Sequence, residues 1–311
     1  MTATLATPSA LTNPPPRYKD FPPGWGHIKV PVSSRRAALA ALALYTPCRR
    51  RAVWAQQAAR ACIVIFGPTA LPGRSFPWVP MSGGAWCELS EAWRREVGAF
   101  DGLAGYNLLQ ASRAGLALLL LRQGSPIAFV KLRQGGRTSL SNEKLALDAV
   151  WSFRPRSFRI PEPLLSGSAG AWHYLISAAL PRGLHRPPDH PPLRAILEEV
   201  EAALAGLPRP VGTPDYWRPM HGDFAPWNLR QLRGESLILI DWEEAGWAPP
   251  GADEVFYHAT RAALGHRLTD RCDAQEAIQF WQERVLAQPE NARDRRLAEG
   301  LRDVLGRMRS S

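Results

Sequence analysis

The segment His221–Asn228 reads His-Gly-Asp-Phe-Ala-Pro-Trp-Asn, and Leu237–Asp241 reads Leu-Ile-Leu-Ile-Asp. Two carboxylates and one amide at this spacing suit phosphoryl transfer. That chemistry asks for one carboxylate to orient an acceptor hydroxyl and take its proton, with a second carboxylate and an amide oxygen to hold Mg2+ against the phosphates of ATP. Asp223 lies on a loop and can serve as the first. Asn228, five residues on, can return from the far side of the same loop as a neutral oxygen ligand. Asp241 ends an apolar run, Ser236–Asp241, that reads as a short buried strand and would hold the carboxylate rigidly.

The motif resembles the catalytic loop of the aminoglycoside phosphotransferase/choline kinase family, the small-molecule branch of the protein-kinase-like fold. That loop reads His-Gly-Asp-x-x-x-x-Asn, and His221, Gly222, Asp223 and Asn228 match every fixed position. Gly222 stands where regulated protein kinases carry an Arg. Gly246 and Asp253 also fall at the family's offsets beyond Asp241. The resemblance runs over roughly residues 100–260 and implies a bilobal α+β fold: an antiparallel-sheet N-lobe with one key helix, then a mainly helical C-lobe.

The resemblance also implies site roles. Asp223 would be catalytic, and Asn228 and Asp241 the metal ligands. Phe129-Val130-Lys131-Leu132 looks like the strand whose Lys holds the ATP phosphates, with Glu143 on the following helix as its partner. Ser112 and Gly115, in Ala111–Gly115, stand where the family's phosphate-covering loop lies, but this chain has no Gly-x-Gly-x-x-Gly there. Tyr174–Ala179 resembles the hinge between lobes, whose backbone would hold the adenine. His221 and Asp253 would brace the loop rather than react. Glu243 and Glu244 read either as acids approaching the metal or the acceptor or, more commonly, as solvated acids, and Trp227, Trp242 and Trp247 as either an acceptor wall or packing.

These residues need elements to position them. Ser34–Leu44 reads as a Ser-capped helix, and Arg50–Ala61 as a second. Ala61–Phe66 looks like a strand, and 67–90 like a loop rich in Gly, Pro and Ser. Tyr106–Gln110, Leu116–Arg122 and Ile127–Leu132 form a meander with a turn at Gln123–Pro126. Asn142–Phe153 is helical, Trp172–Ala178 a strand, and Leu193–Leu207 an amphipathic helix. Asn291–Met308 is a final helix. The reading gives a Pro-rich tail (1–27), an unassigned basic extension (28–95), the N-lobe (96–180) and the C-lobe (181–311).

The balance of 38 Lys+Arg against 28 Asp+Glu gives a net charge of +10, carried by the first part of the chain, since residues 181–311 hold 17 Arg and 20 acids. Only Lys19, Lys29, Lys131 and Lys144 are lysines, so the excess reads chiefly as an arginine-rich composition. A nucleic-acid role is disfavoured, because no compact motif accompanies the charge. No apolar run approaches the ~20 residues that span a bilayer. Cys48, Cys62, Cys87 and Cys272 are scattered, which argues against a zinc ribbon or a disulfide scaffold and for a reducing cytoplasm. The expected function is an ATP- and Mg2+-dependent kinase of a small-molecule hydroxyl, such as an aminoglycoside, amino alcohol or sugar-like acceptor. The alternatives are a catalytically silent kinase-like module, and an anionic-surface or nucleic-acid binder acting through the N-terminal region. Oligomeric state is not legible.

Overall fold

A computed structural model of the chain describes residues 16–23, 28–44, 46–48, 50–81, 84–107, 115–135, 138–231, 234, 236–267, 274–287 and 295–309. Its first half is built on strands β1 (Arg17–Phe21), β2 (Ile28–Pro31), β3 (Phe76–Pro77), β4 (Gly102–Asn107), β5 (Gly115–Arg122), β6 (Ser125–Gln134), β7 (Pro163–Ala169) and β8 (Trp172–Ala178). They form one antiparallel sheet in the order β3-β1-β2-β4-β5-β6-β8-β7. The β5–β6 hairpin turns at Gln123 and Gly124, both at positive φ, which matches the twist of the flanking strands.

Alternation along the strands gives the sheet two apolar faces. Leu116, Leu118 and Leu120 of β5 and Ala128, Val130 and Leu132 of β6 face helix α3 (Gly84–Val97), which lays Leu89 and Trp93 against them. Leu119, Leu121 and Phe129 cluster instead with Ala104 and Tyr106 of β4, helix α1 (Arg35–Leu42) and helix α2 (Arg50–Phe66). Ser34 caps α1, its hydroxyl accepting from the Ala37 N–H. The long helix α4 (Thr138–Phe153) carries Leu147 and Val150 into a core shared with the second half of the chain.

That second half is mainly helical: α5 (Leu193–Leu204), α6 (Ala252–Ala263), α7 (Gln275–Ala287) and α8 (Arg295–Arg309). Two small ladders lie among the helices. In one, β9 (Arg218–Met220) pairs with β12 (Gly246–Ala248), and in the other β10 (Leu229–Arg230) pairs with β11 (Ile238–Leu239). The chain therefore has the α+β, bilobal architecture expected, an antiparallel-sheet half followed by a mainly helical half.

Four local expectations need correction. Ala61–Phe66 continues α2, because Gln56, Ala59 and Ile63 fall on one buried helical face; a short β-branched run does not by itself tell strand from helix. Within 67–90, residues from Gly84 open α3, where Leu89 and Trp93 at i and i+4 drive burial that outweighs the flanking Gly and Ser. Arg17–Phe21, read as part of the tail, is a paired strand with Tyr18 and Phe21 buried, so the sheet begins well before residue 96. The Ser236–Asp241 strand shortens to Ile238–Leu239, since Asp241 takes a left-handed φ of 71° that ends the ladder.

Candidate active site

The catalytic loop spans the gap between β9 and β10. Met220 pairs with Gly246, and Leu229 with Leu239, so both ends of the loop are tied to the strands flanking Asp241. The Ile240 N–H donates to the Asn228 carbonyl at 3.0 Å, which fixes Asp241 one residue from a direct tie to Asn228. The Asn228 side-chain Nδ2 donates to the Asp223 carbonyl (2.8 Å) and to Asp223 Oδ2 (2.9 Å). The loop is thereby closed across its five-residue span, with Asp223 half-buried and Asn228 buried.

His221 and Asp253 brace this loop, as expected. Asp253, in the first turn of α6, accepts from the His221 N–H (2.6 Å) and the Gly222 N–H (3.0 Å). Burial raises its pKa to about 6, against the lowering effect of those two bonds. The His221 Nδ1 accepts from the Asp223 N–H at 3.2 Å, while Nε2 donates to the Ile240 carbonyl at 3.0 Å. This is the neutral Nε2–H tautomer, and burial accordingly lowers the ring's pKa to about 4. Gly222 has φ +82°, and a Cβ there would lie 1.9 Å from the Glu244 carbonyl oxygen. Only glycine fits that crossing.

Lys131 of β6 meets the loop from the sheet side. Its Nζ bonds Glu143 Oε1 (2.6 Å) and Oε2 (2.8 Å) from α4, and Asp241 Oδ1 (2.6 Å). Glu243 Oε1 lies 3.1 Å from the same ammonium and 2.5 Å from Arg133 Nη2. Burial opposes the charge on Lys131, but Asp241, Glu143 and Glu243 override it and hold the ammonium well above its ordinary pKa. Glu143 is pushed upward by burial, which the nearby Lys131 offsets in part. Asn142, beside Glu143, donates to the carbonyls of Glu243 (2.9 Å) and Ala245 (2.7 Å), docking α4 onto the Asp241 segment.

The predicted residues thus divide clearly. Lys131, Glu143 and Asp241 converge on one point, and Asp223 and Asn228 lie together on the loop tied to it. Gly115 opens β5, two residues before Ala117, the register partner of Lys131. Ser112 lies outside the described residues. Of the two readings open for Glu243, the solvated one fails: it is buried and doubly ion-paired. The signal that could have found it is its spacing of two from Asp241, which lets both acids reach one cation. Glu244 pairs with Arg284. Trp242 is a core residue stacked on Phe158 and tilted against His221, so it forms no acceptor wall.

The donor set fits a hard divalent cation. Glu143, Asp241 and Glu243 each offer an oxygen within 4.8 Å of the others, around the Lys131 ammonium that pairs with all three. The Asn228 nitrogen is engaged, leaving its oxygen as the atom to serve a cation. Lys131 and Arg133 do not fully offset the three carboxylates around them.

The two-lobed frame thus carries an ion-paired lysine under the sheet and an Asp/Asn loop below it. Residues 168–288 match the model of the phosphotransferase enzyme family (APH), and the resemblance read from the catalytic loop is borne out there. No curated protein matches the chain. Among solved structures it is similar to spectinomycin phosphotransferase in complex with ADP and spectinomycin (11% identity, 74% of this chain and 98% of that one, TM-score 0.46). It is also similar to the GDP complex of aminoglycoside 2'-phosphotransferase-IIIa (16% identity, 68% and 93%, TM-score 0.43). A third is an aminoglycoside phosphotransferase from Streptomyces rimosus (15% identity, 71% and 97%, TM-score 0.38). Among the described residues no helix is long and apolar enough to cross a membrane.

Proposed function

We propose that this chain transfers the γ-phosphoryl group of ATP to a hydroxyl of a small molecule, of the aminoglycoside, amino-alcohol or sugar-like class. The observation that carries the reading is the meeting of Lys131 with Glu143 and Asp241, which brings strand, helix and loop to one point, with Asp223 on the loop that Asn228 ties to the Asp241 segment. Glu143 holds the Lys131 ammonium toward the cleft, where it contacts the nucleotide phosphates. Asn228 and Asp241 supply the oxygens for Mg2+. When bound, that ion neutralises charge on the phosphates and leaves the residues free to position the acceptor. Asp223 accepts a hydrogen bond from the acceptor hydroxyl and removes its proton late in a loose transition state. Its main service is orientation, because a free carboxylate is a weak base.

The test is Asp223→Asn in the full chain. The amide preserves shape and cannot take the proton. Phosphoryl transfer to an acceptor found by screening should be lost, while the affinity for a Mg-bound ATP analogue, measured by calorimetry, is retained. Retained transfer removes Asp223 from the acceptor role. Loss of both, with an intact melting transition, moves it into the metal site.

A further inference from the structure

Strands β5 and β6 place Ala117 opposite Lys131 and Leu119 opposite Phe129, so all four residues share one face of the sheet. That is the face turned toward Glu143, Asp241 and the catalytic loop. In a nucleotide lying against Lys131 with its base toward the hinge after β8, the purine must pass beneath Phe129 and reach Ala179. That space is partly covered in this structure, with Phe129, Tyr106 and Ala179 half-buried. Phe129, Leu119 and Ala179 all pack into the cluster formed by α1 and α2, together with Tyr106. Ala117 is 2% exposed.

The covering segment crosses from one lobe to the other. Its α1 end buries Ala37, Ala38, Ala41 and Leu42 against the sheet. Its α2 end is pinned by Gln56, which donates to the Leu42 carbonyl (2.8 Å) and accepts from Arg186 Nη1 (3.0 Å) beyond the hinge. Arg186 is itself paired through its backbone with Gln231, next to Arg230 on the strand that follows Asn228. Between the two helices, Thr46 is buried and the Cys48 thiol is near enough to Arg230 and Arg186 for both guanidiniums to oppose the burial that raises its pKa to about 11.

We infer that helices α1 (Arg35–Leu42) and α2 (Arg50–Phe66) form an intrachain strap over the purine end of the nucleotide cleft, and that the nucleotide binds in competition with it. This rests on the nucleotide-dependent reading above. The construction suits displacement. Three of the four side chains that α1 buries are alanines, which present little apolar area. The buried Gln56 clasp exchanges for water when it opens. The strap also gives the acid-free N-terminal region, which holds no Asp or Glu from Phe21 to Cys87, a place in the enzyme.

The experiment compares the full chain with Gln56→Ala and Leu42→Ala, each checked for an intact melting transition. Calorimetry with AMP-PNP and Mg2+ reads affinity, Lys131→Met added to each background reads whether binding is at this site, and hydrogen exchange on the parent reads residues 37–44. Both loosened variants should bind at least tenfold more tightly than the parent, through Lys131, and nucleotide should speed exchange in 37–44. Equal, Lys131-dependent binding by all three chains with unchanged exchange overturns the strap and leaves the phosphotransferase reading standing. Absence of Lys131-dependent binding in every chain overturns both.

Discussion

Lys131 and Asp241 are 110 positions apart in the chain, yet the Lys131 ammonium nitrogen lies 2.6 Å from Asp241 Oδ1. The ammonium serves as the counter-charge for Asp241, the residue assigned to the metal. Under the proposed function, Asp241 would supply an oxygen to Mg2+ in place of its pairing with Lys131, and Glu143 would keep the ammonium directed at the cleft. Asp241→Asn should lower turnover by at least a hundredfold, about 2.7 kcal/mol of transition-state stabilisation. The fold should survive, because Lys131 keeps Glu143 and Glu243. Turnover in saturating Mg2+ beside a melting curve checks this, and near-parent activity contradicts the metal assignment.

Lys131→Met keeps most of the side-chain volume and leaves Glu143 and Glu243 buried without their shared cation. Removing one partner from a buried ionic cluster costs about 3–5 kcal/mol. The loss should be largest near neutral pH and shrink in acid. Burial already pushes Glu143 upward, and without the lysine its carboxyl takes a proton more readily, which discharges the site. Urea unfolding at pH 5 and pH 7 reads the difference, and an equal loss at both pH values refutes the electrostatic account.

His221 should remain a neutral Nε2–H imidazole down to about pH 4. Its folded pKa lies below the ordinary 6.5, so the unfolded chain takes up the proton first as pH falls. The stability it contributes is complete above about pH 6.5 and is lost between there and about pH 4. At ~1.36 kcal/mol per pH unit, a displacement of this kind is worth a few kcal/mol. Nitrogen-15 NMR of the ring reports tautomer and charge directly. An imidazolium at pH 6 would show that the brace is wrongly described.

Gly222→Ala puts a Cβ where the Glu244 carbonyl oxygen stands, at a φ of +82°. The left-handed conformation alone costs about 1–2 kcal/mol for an L-residue. The neighbour here is backbone, so the loop itself must shift. Stability should fall by at least about 2 kcal/mol, and turnover should fall with it, because the shift moves Asp223 and the N–H groups that Asp253 accepts. A fully active alanine variant would show that the loop tolerates displacement.

What the sequence determined by itself is local. The catalytic loop is legible because His221, Gly222, Asp223 and Asn228 act across eight residues. Helix α5 and the β5–β6 hairpin are legible because their periodicity and turn residues lie within one element. Lys131 and Glu143 are legible as a pair because a strand and the helix after it lie side by side. Tertiary structure decided what depends on contacts far apart in the chain. Asp241 and Glu243 became one charged cluster with Lys131 and Arg133 only when the Asp241 segment docked on the sheet. Glu243 could not be told from a solvated acid until its burial and its two cations were in place. The run Ala61–Phe66 carries too few residues to choose between strand and helix, and packing beneath Gln56, Ala59 and Ile63 chose. The placement of α1 and α2 across the cleft was equally beyond the sequence, because alanine-rich helices carry little information about which surface they will cover.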